Sequence, residues 1–167
     1  MKKIIALDLD GTTLNKQSLI TERTKEVLHL AQEAGHSIIL ATGRPYPMSR
    51  MFYSQLGLKD PMLNLNGAIV HLPEKPWNLE KHFTLSRDIV FDLIAEKENL
   101  GFNFIAAENK ETFYIDDLNY YQAAFFSDQA SKENLLTPKT LYQDPASIMI
   151  GATEESVHSL IDTLKMR

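Results

Sequence analysis

Two carboxylates two residues apart, Asp8 and Asp10, are the first groups in this chain that could do chemistry. They follow the apolar run Ile4-Ile-Ala-Leu7 and precede Gly11-Thr-Thr13. In an extended chain, residues i and i+2 point the same way. Both acids would then share a small volume where a strand ends. Carboxylates that close disfavour joint ionisation unless a cation sits beside them. Asp8 and Asp10 are therefore candidate metal ligands as well as candidate reactive groups. Gly11 lets the chain turn, while Thr12 and Thr13 add hydroxyls and leave backbone N–H groups to face an anion. The plain alternative is a strand followed by an ordinary Asp- and Gly-containing turn. A calcium-binding EF-hand loop is excluded, because it needs glycine at its sixth position and glutamate at its twelfth. Counted from Asp8, Gly11 is fourth and Leu19 is twelfth.

Two more polar clusters end apolar runs. Ser37-Ile-Ile-Leu-Ala41 leads into Thr42-Gly-Arg-Pro45, and Met62-Leu-Asn-Leu65 leads into Asn66-Gly67. In an open parallel α/β sheet the carboxyl ends of the strands share one edge, and ligands bind in the crevice there. Asp8, Asp10, Thr42, Gly43 and Asn66 would meet at that edge, next to a helix starting at Pro45. Carboxylates, a hydroxyl and glycine N–H groups suit a divalent metal plus a hard anion, phosphate above all. Asn66-Gly67 is also a hairpin signal in its own right.

These groups need a scaffold to hold them. The run Ile4–Leu7 reads as a strand covered on both faces. Thr21 can cap a helix with Val27, Leu28, Ala31 and Ala34 as its apolar stripe and Gly35 as its stop. A strand–helix–strand unit of this kind implies parallel strands. A second helix would bury Met48, Met51, Phe52 and Leu56 and end at Gly57. Ala68–Val70 resumes as a strand, and residues 71–82 form a connection with a strand near its end. Ser86 then caps a helix bearing Ile89, Val90, Leu93 and Ile94, ended by Gly101. Residues 102–106 and 112–115 read as an antiparallel pair. Residues 117–145 carry no clear periodicity. Residues 146–151 read as a strand, and Thr153 caps a last helix with Val157, Leu160, Ile161 and Leu164.

With 167 residues, the chain can form one sizeable core or two small ones. A net charge of -5 argues against a general binder of nucleic acid or anionic membrane. The chain has no cysteine, which excludes thiol chemistry, disulfides and thiolate zinc sites. Asp8 interrupts the first apolar run too early for a signal core or a membrane span. The expectation is a cytoplasmic protein.

Asp8-Leu-Asp-Gly-Thr12, Ala41-Thr-Gly-Arg44 and Asn66-Gly-Ala68, in that order, resemble the haloacid dehalogenase (HAD) superfamily of phosphohydrolases. More closely, the chain is similar to its Cof-type sugar-phosphatase branch. The resemblance implies an α/β fold with a Rossmann-like core and parallel sheet, incomplete here, over residues 1–82. Residues 83–167 would be part of an α+β cap of the C2 type. It implies a Mg²⁺-dependent phosphatase of small phosphorylated metabolites such as sugar phosphates. Asp8 would be the nucleophile that becomes an aspartyl-phosphate. Asp10 would protonate the leaving alcohol and then activate water, which calls for a neighbouring charge that raises its pKa. Mg²⁺ would sit on the Asp8 carboxylate and the Asp10 carbonyl. Thr12, Thr42 and Gly43 would hold phosphate oxygens. Arg44 and Asn66 would touch phosphate or substrate, although Arg44 fits the role of a structural ion-pair partner equally well.

The branch carries two further parts after its cap: a lysine, and a Gly-Asp followed by further acids. Neither is found here. Asp116-Asp117 lacks the preceding glycine, and Lys132, Lys139 and Lys165 read as solvated. The expectation is an amino-terminal portion of a longer phosphatase with little turnover alone. The alternatives are a phosphate- or partner-binding remnant and a phosphomutase relative. The aromatic stretch Tyr114, Tyr120, Tyr121, Phe125 and Phe126 reads as core before sugar contact.

Overall fold

A computed structural model of the protein describes residues 1–126 and 129–165. The chain divides into two compact units, Met1–Phe83 and Thr84–Arg167.

In the first unit, β1 (Ile4–Leu7) and β2 (Ser37–Leu40) pair in parallel, Ile4 opposite Ser37 and Leu7 opposite Leu40. The crossover is α1 (Glu22–Glu33). Its N-cap is Thr21, whose side chain accepts from Thr24 N–H at 3.1 Å. Its end is Gly35, with φ at 80°. Beyond β2 the chain stays extended: Ala41 N–H donates to Leu7 carbonyl at 2.8 Å and Thr42 N–H to Leu63 carbonyl at 3.0 Å. Ala41 thereby pairs in parallel with Leu63 of β3 (Met62–Asn64). Three strands run in one direction and finish at one rim. Helix α2 (Tyr46–Gln55) lies between β2 and β3 in sequence, with Pro45 at its N-cap. After β3 the sheet turns antiparallel: β4 (Ile69–His71) folds back on β3, and β5 (Lys81–His82) adds to β4.

The core of this unit gathers Leu9, Leu14, Ile38, Leu40, Phe52, Tyr53 and Met62. Some expected burial fails. Ile4 is 72% exposed and Ala6 is exposed, so β1 is not covered on both faces. Among the described residues β1 pairs with β2 alone, which leaves its other flank open. Val27, Ala34 and Met51 are exposed, and Tyr53 is buried in place of Met51. The helices are turned so that Leu28, and Phe52 with Tyr53, centre their inward faces.

In the second unit, Ser86 caps α3 (Arg87–Ala95), whose Val90 and Leu93 are buried while Ile89 is exposed. The short α4 (Lys97–Leu100) follows, closed by left-handed Gly101. Strands β6 (Phe102–Glu108), β7 (Phe113–Ile115) and β8 (Ser147–Ala152) form an antiparallel sheet in the order β7-β6-β8. Helix α5 (Val157–Lys165) begins one turn later than expected, after a turn in which Thr153 Oγ1 accepts from Ser156 N–H. One sheet face packs Ile105 and Ala107 against Val90, Leu93 and Leu160. The other carries Phe104, Phe113, Ile115 and Phe126. Phe104 lies across Gly151 of β8, where a Cβ would overlap its ring.

The described residues of the stretch 117–145, which leave out 127 and 128, hold two short 3₁₀ turns, Leu118–Tyr120 and Lys132–Asn134. Its aromatic residues are mostly packing groups. Phe126 is buried and stacks on Phe113 at 4.5 Å, and Tyr121 stacks on both. Tyr114 packs within the helix-facing core, while Tyr120 and Phe125 are exposed. Among the described residues, no helix is long and apolar enough to cross a membrane.

Candidate active site

The loop after β1 is built on Leu9. This residue, between the two acids, is completely buried, while Asp8 and Asp10 are exposed. Leu9 carbonyl accepts from Leu14 N–H at 2.8 Å, and left-handed Gly11, with φ at 72°, closes the turn. The apolar anchor and the turn together hold both carboxylates at the rim. Thr13 has a different part from the one expected. It is buried, and its N–H at 3.2 Å and its Oγ1 at 2.6 Å both donate to Asp8 carbonyl. Those donors fix the Asp8 backbone and are not free for an anion. Thr12 is exposed, with Oγ1 3.5 Å from Asp8 Oδ2, the outer limit of a hydrogen bond.

The second and third strand ends meet the first. Thr42 is buried, and its Oγ1 accepts from Arg44 N–H at 3.1 Å, which leaves the hydroxyl its own proton to donate. Thr42 carbonyl accepts from Asn66 N–H at 3.1 Å and ties the second loop to the third. Asn66 takes a left-handed backbone, φ 57°, followed by Gly67 at 91°, so the Asn-Gly signal is a true hairpin turn between β3 and β4. The contact between the loops is close: a Cβ on Gly43 would stand 3.0 Å from Asn66 Oδ1. A cavity of about 250 Å³ is lined by Asp8, Ala41, Thr42, Gly43, Leu63, Asn66 and Gly67.

Asp10 is engaged elsewhere. Arg44 grips its carboxylate with two hydrogen bonds, Nε to Oδ2 at 2.8 Å and Nη2 to Oδ1 at 2.6 Å. The guanidinium also lies over the Phe52 ring, 5.4 Å from its centroid. The hydrogen bonds from Arg44 hold the Asp10 carboxyl below the usual carboxylate range, against a smaller opposing effect of burial. The sequence suggested a neighbouring charge that raises this pKa. The neighbour is a cation, and the shift runs the other way. Of the two roles open to Arg44, ion-pair partner is the one it fills here.

The described residues fit a metal in part. Asp8 borders the cavity, and Asp10 follows two residues on. Among the described residues, however, no group of three or more His, Cys, Asp or Glu gathers. Asp116 and Asp117 have structural work: Asp116 pairs with Lys97 at 2.6 Å and accepts from Ile105 N–H, and Asp117 caps the turn at Leu118. Lys132, Lys139 and Lys165 are exposed. Sequence reasoning missed Asn64, Ser49 and His71, which are buried behind the Thr42–Pro45 turn. Their only signal was a polar residue inside an otherwise apolar run.

A family model of haloacid dehalogenase-like hydrolases matches residues 5–167. The 5-amino-6-(5-phospho-D-ribitylamino)uracil phosphatase YitU of Bacillus subtilis is 32% identical over 163 residues, covering 94% of this chain and 58% of the relative. The pyridoxal phosphate phosphatase YbhA of Escherichia coli is 38% identical over 69 residues, covering 41% of this chain and 25% of that protein. The chain thus spans little more than half the length of the first of these. A crystal structure from Thermotoga maritima superposes on all of the chain with a TM-score of 0.76 at 21% identity, covering 62% of that structure. A subclass IIB sugar phosphatase of the HAD superfamily gives 0.69 at 18% identity, over 99% of this chain and 64% of its own. At such identities these are likenesses of fold.

Proposed function

The chain belongs to the haloacid dehalogenase-like hydrolases, and from that premise we propose that it carries the nucleophile and phosphate loops of a phosphatase acting on small phosphorylated metabolites. In this reading Met1–Phe83 is the first part of the catalytic core and Thr84–Arg167 part of a cap that governs substrate access. The relatives named as phosphatases support the reaction class. The observation that carries the assignment is the shared cavity: Asp8, Thr42, Gly43 and Asn66 come from three strand ends and line one space.

The chemistry follows from the groups present. An Asp8 carboxylate oxygen bonds to phosphorus as the ester P–O bond breaks, and the departing alkoxide takes a proton from Asp10. Water then attacks phosphorus and gives a proton to Asp10. The bond to Asp8 breaks, releasing inorganic phosphate and restoring the carboxylate. Thr42 Oγ1 and Gly43 N–H donate to phosphate oxygens and position them. Asp10 can deliver a proton only after its pair with Arg44 opens and the freed carboxylate takes up a proton from solvent. The phosphate oxygens are a natural new partner for that guanidinium. Asp8 and Asp10 would hold Mg²⁺, which supplies positive charge between carboxylate and phosphate.

The test is phosphate release from p-nitrophenyl phosphate, with and without Mg²⁺, for the chain and for Asp8→Asn. Slow Mg²⁺-dependent release, the little that this part of the enzyme is expected to give alone, supports the reading if Asp8→Asn abolishes it. Release that survives the substitution overturns the assignment of Asp8. A second reading, a phosphate-binding module without turnover, is favoured by the Asp10–Arg44 pair. It predicts phosphate binding that Asp8→Asn leaves intact and no release at all.

A further inference from the structure

Behind the Thr42–Pro45 turn lies a polar cluster that packing alone does not call for. Asn64, Ser49 and His71 are all 0% exposed. Asn64 ends β3, Ser49 lies in α2 and His71 ends β4. Asn64 Nδ2 donates to Arg44 carbonyl at 2.8 Å and to Ser49 Oγ at 2.8 Å. Ser49 Oγ donates in turn to Pro45 carbonyl, 3.0 Å away, or to Tyr46 carbonyl at 3.1 Å. Asn64 Oδ1 meets His71 Nε2 at 2.9 Å. With both Asn64 amide hydrogens committed to acceptors, Oδ1 is left as acceptor, so His71 carries its proton on Nε2. The His71 ring then meets Tyr46 edge-on at 4.8 Å.

Buried polar groups cost stability unless each finds a partner. Here the hydrogen bonds from Asn64 and Ser49 terminate on the backbone of residues 44–46, the turn that carries Arg44. Leu65 N–H adds a second donor to Arg44 carbonyl at 3.3 Å. Without Asn64 the Arg44 carbonyl would keep only the longer bond from Leu65 N–H.

We propose that Asn64, braced by Ser49 and His71, is a positioning residue that fixes the Arg44 backbone, so that the guanidinium reaches Asp10 and Thr42 and Gly43 face the cavity. Its importance to turnover rests on the phosphatase reading, but its effect on the turn does not.

The test uses the whole chain and reads the Arg44 Nε–H by ¹⁵N nuclear magnetic resonance. Its hydrogen bond to Asp10 Oδ2 slows its exchange with solvent. Asn64→Ala should speed that exchange about tenfold, the size of one lost hydrogen bond. Ser49→Ala should do so more weakly, and Ser49→Thr, which keeps the hydroxyl, should restore the native rate. The control is Leu28→Ala, a core cavity in α1 far from the turn in sequence, compared at a matched interval below each Tm. It should lower Tm and leave the exchange rate unchanged. Exchange that is unaltered in the Asn64 and Ser49 variants, or that rises equally in the control, overturns the proposal. Should Asn64→Ala not fold, the Ser49 pair decides alone. No phosphate, metal or turnover enters the measurement, so its failure is separate from failure of the phosphatase reading.

Discussion

Arg44 and Asp10, 34 residues apart in sequence, form a two-pronged ion pair at the rim where β1 and β2 end. Asp10 is more than half exposed and Arg44 largely covered. Exposed pairs contribute little to stability. The consequence of this one lies in what it does to the carboxyl group. Arg44→Ala should move the Asp10 titration upward, toward the ordinary carboxylate range, with little change in Tm. Carboxyl ¹³C shifts followed against pH would show it. An unchanged midpoint would mean that Arg44 does not hold Asp10 in solution.

Gly43 faces Asn66 so closely that a methyl group would need Asn66 to yield by a few tenths of an ångström. The backbone at Gly43 is not in the left-handed region, so alanine itself is tolerated there. Gly43→Ala should therefore leave the fold intact and weaken phosphate binding by narrowing the cavity. Adding Asn66→Ala removes the opposing oxygen. Calorimetric phosphate affinities in the two single variants and the double one should be non-additive. Simple addition would disprove a steric link.

Glu108 is 4% exposed in the β6 strand of the second unit. Burial pushes its pKa up, and a hydrogen bond from Ser147 offsets part of that. A folded-state pKa above the unfolded one means that the fold prefers the protonated form. The stability from Glu108 is thus full below the ordinary carboxylate pKa and is lost as pH rises through the raised value. Glu108→Gln should flatten that decline and add roughly 1 kcal/mol at neutral pH. Urea unfolding from pH 4 to pH 8 would measure both effects. A steeper decline in the glutamine variant would refute the account.

Gly151 leaves room for the Phe104 ring across β8. Gly151→Ala should cost about 1–3 kcal/mol, as overpacking does. Pairing it with Phe104→Leu should recover part of the loss in thermal unfolding. Loss without recovery would point to the strand backbone as the cause.

Much of this was legible in the sequence because its signals were local. The Asp-x-Asp-Gly turn, the caps Thr21 and Ser86, the Asn66-Gly67 hairpin and the stop at Gly101 each depend on a few adjacent residues. The meeting of three strand ends followed from the alternation of strand and helix. What stayed hidden was long-range. No pattern marked Arg44 as the partner of Asp10, and Thr13 looked like a free donor although it serves Asp8 carbonyl. Nothing local singled out Asn64 within the run Met62–Leu65, because its acceptors lie on another segment. Val27 and Met51 fit a helical stripe at its margin, and margins are decided by what packs alongside.

The uncovered flank of β1 has a geometric corollary. Parallel neighbours in a sheet finish at the same rim. Any extended peptide that zips onto Ile4–Leu7 in that sense will therefore deliver its own final residues beside Asp8. The open flank of β1 and the proposed nucleophile Asp8 are thus reached by a single track.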